Sequence, residues 1–148
     1  MVDILESMGC QVYRRDREIE IIGGELHGVE VDMNAMPDVV PTLAVVAAFA
    51  RGTTRISRVG HLQYKETDRI AALRQELAKM RIETYVEEES LIIKGGSPQG
   101  AEIDTYQDHR MAMAFAVAGL KVPGVVIQNP DCVNKSFPAF WTLLEGLG

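Results

Sequence analysis

Lys65-Glu66-Thr67-Asp68-Arg69 places two cations and two carboxylates within five residues, directly before the run IAALRQELAKM. In that run Ile70, Leu73, Leu77 and Met80 recur at helical spacing, which predicts a helix with the cluster at or just inside its N-terminus. Unpaired backbone N–H groups and the positive end of the dipole favour an anion there. Lys65 and Arg69 strengthen that seat, and Glu66 brings a carboxylate able to move a proton. Three further predicted helix starts carry similar groups: Pro37-Asp38, Asp108-His109-Arg110 and Asn134-Lys135-Ser136. Arg69 and Arg110 suit bidentate binding of a carboxylate, and Lys135 suits a point charge. Asp38 or Glu66 would serve in proton transfer. Converging on one crevice, these groups would hold a small molecule bearing a phosphate and a carboxylate.

Each residue also has a structural reading. Asp38, Asp108 and Ser136 are ordinary helix-cap types, and Lys65, Glu66 and Arg69 form i,i+4-type pairs on solvated turns. His109 beside Asp108 fits a structural hydrogen-bonded pair. Met111 and Met113 fit core filling, and Cys132 near Lys135 fits either a low-pKa thiol or a buried structural cysteine.

The elements that would position these groups come from an internal repeat. Ile21, Gly23, Gly24, Gly28, Glu30 and Asp32 match Ile93, Gly95, Gly96, Gly100, Glu102 and Asp104 at a constant offset of 72. The register extends without gaps through Leu5 and Leu77, Met8 and Met80, Tyr13 and Tyr85, Ala44 and Ala116, and Gly52 and Gly124. One supersecondary unit is therefore used twice. Each unit predicts a leading amphipathic helix (2–8 and 69–80) and a hairpin (11–14 with 19–22, 83–87 with 91–94). A strand (29–32, 101–104), a second helix (Pro37 to Ala50, Asp108 to Leu120) and a closing strand (53–58, 125–129) complete it. A last helix, Ser136 to Leu147, stands where a next unit would begin. The second helices, VVPTLAVVAAFA and MAMAFAVAGL, are apolar all round and predict burial on every side. The expected fold class is α/β (α+β), with buried helices and outer sheets. The expected organisation is one partial domain over 1–148, with repeats at about 1–68 and 69–140 and a closing helix at 136–147; the chain opening inside a unit reads as a piece of something larger.

Composition narrows the partners. With 148 residues and 47% hydrophobic content the chain can build one packed core. Its net charge of −6 argues against nucleic acid and membrane surfaces as partners, so any anion must be held by a local cluster. Cys10 and Cys132 lack metal-type spacing, and His27, His61 and His109 are scattered, so neither a metal nor a cofactor is expected. No leader is expected before the helix VDILESM and no apolar run reaches the ~20 residues of a membrane span. The expected location is the cytoplasm.

Four motifs carry a resemblance. Asp32-Met33-Asn34-Ala35-Met36-Pro37-Asp38, Lys65-Glu66-Thr67-Asp68-Arg69, Asp108-His109-Arg110-Met111-Ala112-Met113 and Cys132-Val133-Asn134-Lys135-Ser136-Phe137-Pro138 occur in the order and spacing of the 5-enolpyruvylshikimate-3-phosphate synthase family. The resemblance spans essentially the whole chain and looks like the C-terminal third of such an enzyme. It implies βαβαββ units, three per inside-out domain with helices within and sheets outside, of which two are present here. It implies transfer of the enolpyruvyl group of phosphoenolpyruvate to the 5-hydroxyl of shikimate 3-phosphate, releasing phosphate, on the route to chorismate and aromatic amino acids, with glyphosate occupying the phosphoenolpyruvate site. By motif, Asp38 would bind shikimate hydroxyls and be a candidate base. Lys65 would contact the reacting hydroxyl, and Glu66 would exchange a proton with the phosphoenolpyruvate methylene. Arg69 and Arg110 would clamp its carboxylate, with His109 beside them, and Lys135 would neutralise its phosphate. The choice of acid and base among Asp38, Lys65 and Glu66 stays open. His61 stands where asparagine is frequent in the family and would be a substrate contact.

The resemblance implies that the other site residues lie in an N-terminal portion, so this chain alone would be inactive. Removal of one unit would expose apolar surface and favour self-association. The competing readings are a UDP-N-acetylglucosamine enolpyruvyl transferase, which shares the fold but lacks the KETDR and DHRMA pair, and a non-catalytic module on the same repeat.

Overall fold

The computed structural model describes residues 1–65 and 67–147. The chain runs α1 (Val2–Ser7), β1 (Gln11–Arg14), β2 (Ile19–Ile22), β3 (Glu30–Asp32), α2 (Val40–Ala48), β4 (Thr53–Ser57), α3 (Arg69–Lys79), β5 (Glu83–Glu87), β6 (Ser90–Lys94), β7 (Glu102–Ile103), α4 (His109–Gly119), β8 (Val126–Ile127) and α5 (Phe140–Glu145). Single 3-10 turns occupy Pro37–Val39, Gly60–Tyr64 and Pro130–Lys135. The order repeats at the 72-residue offset read from the glycines.

The two units interlock through their sheets. β3 and β4 of the first unit pair in parallel, with Val31 opposite Ile56. The hairpin β5–β6 of the second unit then adds to β4 in antiparallel register, Thr54 opposite Ile93, giving a four-stranded sheet in the order β3-β4-β6-β5. The equivalent pieces at either end stand as two-stranded sheets, β1–β2 and β7–β8.

The helices lie within. In α2 almost every side chain is buried, including Val40, Leu43, Ala44, Val45, Ala47 and Ala48. The helix packs on both α3 and α4, and its small side chains permit that close approach. α3 buries Ile70, Leu73 and Leu77 at i, i+3 and i+7, and its outer face is polar. Truncating any one to alanine is expected to remove about 2–5 kcal/mol.

Three expectations need correction. α4 buries Met111, Ala112, Ala114, Phe115 and Ala118, yet Val117 and Leu120 are exposed, so this helix is covered on one side only. The last helix spans Phe140–Glu145 instead of 136–147. Pro138 disfavours helical backbone at Phe137, and the preceding residues form the 3-10 turn Pro130–Lys135. The second helix of the first unit opens as 3-10 because Pro41 supplies no N–H donor to an α-helical first turn.

Candidate functional site

Asp38, Arg69, Asp108 and Arg110 come from three helix starts and meet in one charged cluster. Arg69 is the first residue of α3, held there by the cap that Asp68 provides on the Ala71 N–H, 2.9 Å away. Its guanidinium is buried, with a side chain 4% exposed. Arg69 Nε donates to Asp108 Oδ2 at 2.6 Å, and its Nη1 donates to Asp38 Oδ1 at 3.1 Å. Asp108 is fully buried and does two things at once. One oxygen accepts from Arg69, and the other caps α4 by accepting the Arg110 N–H at 2.9 Å. Arg110, in the first turn of α4, reaches across to Asp38 Oδ2 at 3.0 Å.

The Asp38 carboxylate is thus bridged by two guanidiniums. It lies in the 3-10 turn Pro37–Val39 and makes no cap bond there, contrary to the capping reading. Partial burial alone would raise its pKa. The hydrogen bond from Arg69 and the charges of Arg110, Arg69 and Lys65 outweigh that and hold the carboxyl below the ordinary range. A carboxylate so stabilised is a poor base and a good hydrogen-bond acceptor. Arg69 is held more firmly in its cationic form: burial opposes the charge, and the bonds to Asp108 and Asp38 outweigh it.

The remaining predicted residues fall around this cluster. Lys65 is exposed, ends the 3-10 turn Gly60–Tyr64 with extended backbone and contributes its charge to Asp38. It therefore precedes the helix start, which falls at Arg69. Glu66 lies outside the described residues. His61 is partly buried in the same 3-10 turn, whose Leu62 is buried beside α3. His109 is the first residue of α4, between Asp108 and Arg110. Lys135 ends the 3-10 turn Pro130–Lys135 and does not open a helix. That turn packs on α4 through Val133, which clusters with Ala112 and Ala116, so α4 supports both Arg110 and the segment bearing Lys135.

Sequence reasoning missed the groups that brace the α4 start. Tyr106 and Gln107 both adopt left-handed backbone, φ 53° and 58°, immediately before Asp108. Such conformations are strained for side-chain-bearing residues. Glu76, fully buried on α3, holds this turn: it accepts from the Tyr106 hydroxyl at 2.7 Å, the Asp104 N–H at 3.0 Å and Lys79 Nζ at 2.6 Å. Burial, then the hydrogen bond and charge of Glu76, push the Tyr106 phenol well above its ordinary pKa. One signal was available: Glu76 stands at the repeat position of Ile4, a carboxylate where the other unit has an apolar residue.

What the arrangement offers chemically is a seat for a carboxylate, already shaped by two guanidiniums, beside a lysine and a 3-10 turn bearing a second one. The same fold is seen in solved enolpyruvyl transferases. The enolpyruvyl transferase NikO from Streptomyces tendae matches with a TM-score of 0.76 at 26% identity, over 99% of this chain and 34% of that one. EPSP synthase from Acinetobacter baumannii matches with a TM-score of 0.89 at 31% identity, over 99% of this chain and 38% of that one. The chain accordingly has the α/β enolpyruvyl transferase fold.

A family model described as EPSP synthase (3-phosphoshikimate 1-carboxyvinyltransferase) matches residues 1–144, and the chain belongs to that family. The 3-phosphoshikimate 1-carboxyvinyltransferase of Syntrophobacter fumaroxidans is 48% identical over 97% of this chain and 35% of that protein. That of Nostoc punctiforme is 47% identical over 95% of this chain and 33% of its own length. The chain spans about a third of the length of these curated relatives. No helix among the described residues is long and apolar enough to cross a membrane.

Proposed function

We propose that the chain forms part of a 3-phosphoshikimate 1-carboxyvinyltransferase, acting in the cytoplasm on phosphoenolpyruvate and shikimate 3-phosphate together with the remaining portion of the enzyme. The observation that carries the reading is the bridging of Asp38 by Arg69 and Arg110. In this reading the Asp38 carboxylate stands where the phosphoenolpyruvate carboxylate binds. Substrate takes over the guanidiniums, and Asp38 turns to accept from shikimate hydroxyls. Lys65 meets the reacting 5-hydroxyl and shares in taking its proton; the oxygen adds to the phosphate-bearing carbon as the methylene gains a proton, and loss of one methyl proton with departure of phosphate restores the double bond. Glu66 exchanges the methylene proton. His61 and His109 contact substrate, and Lys135 neutralises the leaving phosphate.

The test mixes the chain with the complementary N-terminal portion of a relative and assays phosphate release from the two substrates. Release should require both parts, and Arg110→Ala should abolish it. Phosphate release by the chain alone, or full activity of the Arg110→Ala mixture, would defeat the proposal.

A further inference from the structure

The two repeats enter their buried helices through the same turn, built in two different ways. In the first unit Asp32 Oδ1 accepts the Asn34 N–H at 2.9 Å, and Met36 N–H donates to Met33 O at 3.0 Å. Seventy-two positions on, Asp104 Oδ1 accepts the Tyr106 N–H at 3.0 Å, and Asp108 N–H donates to Thr105 O at 2.8 Å. The hydrogen bonds are the same, yet the backbone is not. Asn34 and Ala35 stay out of the left-handed region, whereas Tyr106 and Gln107 are both in it. Two successive positive φ angles mark a type I′ turn, whose usual occupants are Asn and Gly. Tyrosine and glutamine are poor choices for it, so the turn's own residues and hydrogen bonds do not account for its hand.

The difference comes from outside the turn. Ile4 of α1, the mate of Glu76, has no acceptor to offer, and Asn34 stands where Tyr106 carries its phenol. On α3 the buried Glu76 carboxylate accepts the Tyr106 hydroxyl at 2.7 Å and the Asp104 N–H at 3.0 Å. The phenol also lies 2.8 Å from Gln75 Oε1, but it has one proton to give, and the charged oxygen is the stronger acceptor. Glu76 follows Arg69 by seven residues, on the same face of α3 and about 10 Å along it. Arg69 holds Asp108 at 2.6 Å, so α3 grips the segment 104–108 at both ends. Arg110, two residues beyond, projects from the helix that this turn starts and meets Asp38 at 3.0 Å.

We infer that Glu76 and Tyr106 are positioning residues for the arginine clamp: their hydrogen bond latches the turn 105–108 in its left-handed form and so sets Arg110 at the distance from Arg69 that one carboxylate spans. The identity of that carboxylate, phosphoenolpyruvate, rests on the proposed function. Both residues act through the backbone between Asp104 and Arg110. Released from Glu76, the turn relaxes toward the φ region of Asn34 and Ala35, which costs less for residues bearing side chains. The start of α4 then turns with it. Arg110 leaves Asp38, while Arg69, fixed on α3, stays.

The test reads Arg110 through its neighbour. Asp38 faces Arg69, Arg110 and Lys65, which together hold its carboxyl below the ordinary range. A carbon-13 NMR titration of the Asp38 carboxyl in the full chain should give a higher pKa in Tyr106→Phe and in Glu76→Gln than in the parent, moving toward that of Arg110→Ala. Ile93→Val, a core substitution on β6, should lower the melting temperature and leave the Asp38 titration in place. Adding Gln107→Gly, which takes left-handed backbone without strain, should return the Tyr106→Phe titration toward the parent's. In the mixture with the complementary N-terminal portion, Tyr106→Phe should raise the KM for phosphoenolpyruvate roughly tenfold, with kcat and the KM for shikimate 3-phosphate nearly unchanged. Asp38 titrating as in the parent in both variants overturns the inference, whatever their stability. An unchanged phosphoenolpyruvate KM beside a moved Asp38 titration overturns it as well, since the clamp would then not depend on the turn. A parent mixture without activity defeats the proposed function instead and leaves the Asp38 titration to decide the latch.

Discussion

Arg69 has two carboxylate neighbours, and their different burial predicts opposite consequences of removing them. Asp108 is fully buried and lies 2.6 Å from a guanidinium that is itself 4% exposed. Asp108→Ala leaves that cation without its closest counter-charge in a place water does not reach, a loss of about 3–5 kcal/mol. It also removes the α4 cap, worth roughly 1 kcal/mol more. Domains of this kind have about 5–15 kcal/mol in total, so the variant should be barely folded at room temperature. Asp38 is 51% exposed, and its pairs with Arg69 and Arg110 are screened by solvent. Asp38→Ala should therefore change stability by no more than about 1 kcal/mol. Equilibrium urea unfolding followed by circular dichroism measures both, with an unchanged m-value confirming that the same surface unfolds.

The same pair separates on binding. Asp38→Ala frees two guanidiniums from an internal competitor worth about 1 kcal/mol, so phosphoenolpyruvate should bind up to about fivefold more tightly. Asp108→Asn keeps one acceptor oxygen, enough for either Arg69 or the α4 cap, loses the charge and turns an amide NH2 toward the other donor, so it should fall well below the parent in stability, close to Asp108→Ala. Equal destabilisation by Asp38→Ala and Asp108→Ala would refute the argument from burial. Weaker phosphoenolpyruvate binding by Asp38→Ala would refute the claim that Asp38 occupies the carboxylate seat.

Three further outcomes are expected. The Asp38 pKa is depressed in the folded chain, so its contribution is present above the unfolded carboxyl value of about 3.9 and lost as pH falls through the lower folded value. The stability difference between parent and Asp38→Asn, from urea unfolding at a series of pH values, should accordingly shrink below about pH 4. The Tyr106 pKa is raised, so the stability it lends is present below the unfolded phenol value of about 10 and declines as pH climbs toward the folded value. In a phenolate absorbance titration Tyr106→Phe should leave the absorbance at about pH 11 unchanged while the chain stays folded, and should lower it only once the chain is unfolded. Gly95→Ala, whose methyl would strike the Ala50 carbonyl, should destabilise the chain by about 1–3 kcal/mol in thermal melts, whereas Gly23→Ala should leave its stability essentially unchanged.

The repeat was legible because glycine cannot be replaced where two backbones meet: a Cβ on Gly28 would come within 2.2 Å of the Thr53 carbonyl, and one on its mate Gly100 within 2.3 Å of the Pro123 carbonyl. Strand and helix order followed from that register, and convergence of Asp38, Arg69 and Arg110 followed from their places at helix starts. The double role of Asp108 was hidden because a cap and a buried ion-pair partner are the same residue type at the same position, distinguishable only by what packs above. The 3-10 turn Gly60–Tyr64 that leads into Lys65 was not legible, because such a turn carries no amphipathic period to read. Glu76 was invisible to the local pattern of α3, whose neighbours Arg74 and Gln75 are polar as well. Comparison across the repeat exposes it, since its mate is Ile4.

That comparison also explains why the site forms where it does. Asp38 and Arg110 are repeat mates, 72 positions apart, and they touch at 3.0 Å. Mates that touch lie close to the local axis relating the two units, the one place where a position meets its own equivalent. Two arginines there would repel each other, and two aspartates would too, beside nothing but Arg69. Opposite charges at this position let the two copies meet without like-charge repulsion. Divergence leaves one carboxylate facing Arg110, Arg69 and the charge of Lys65, a local excess of cations in a chain whose net charge is −6. An incoming carboxylate that displaces Asp38 inherits that excess, so the electrostatics that lets two copies of a unit pack together also prepares the anion seat between them.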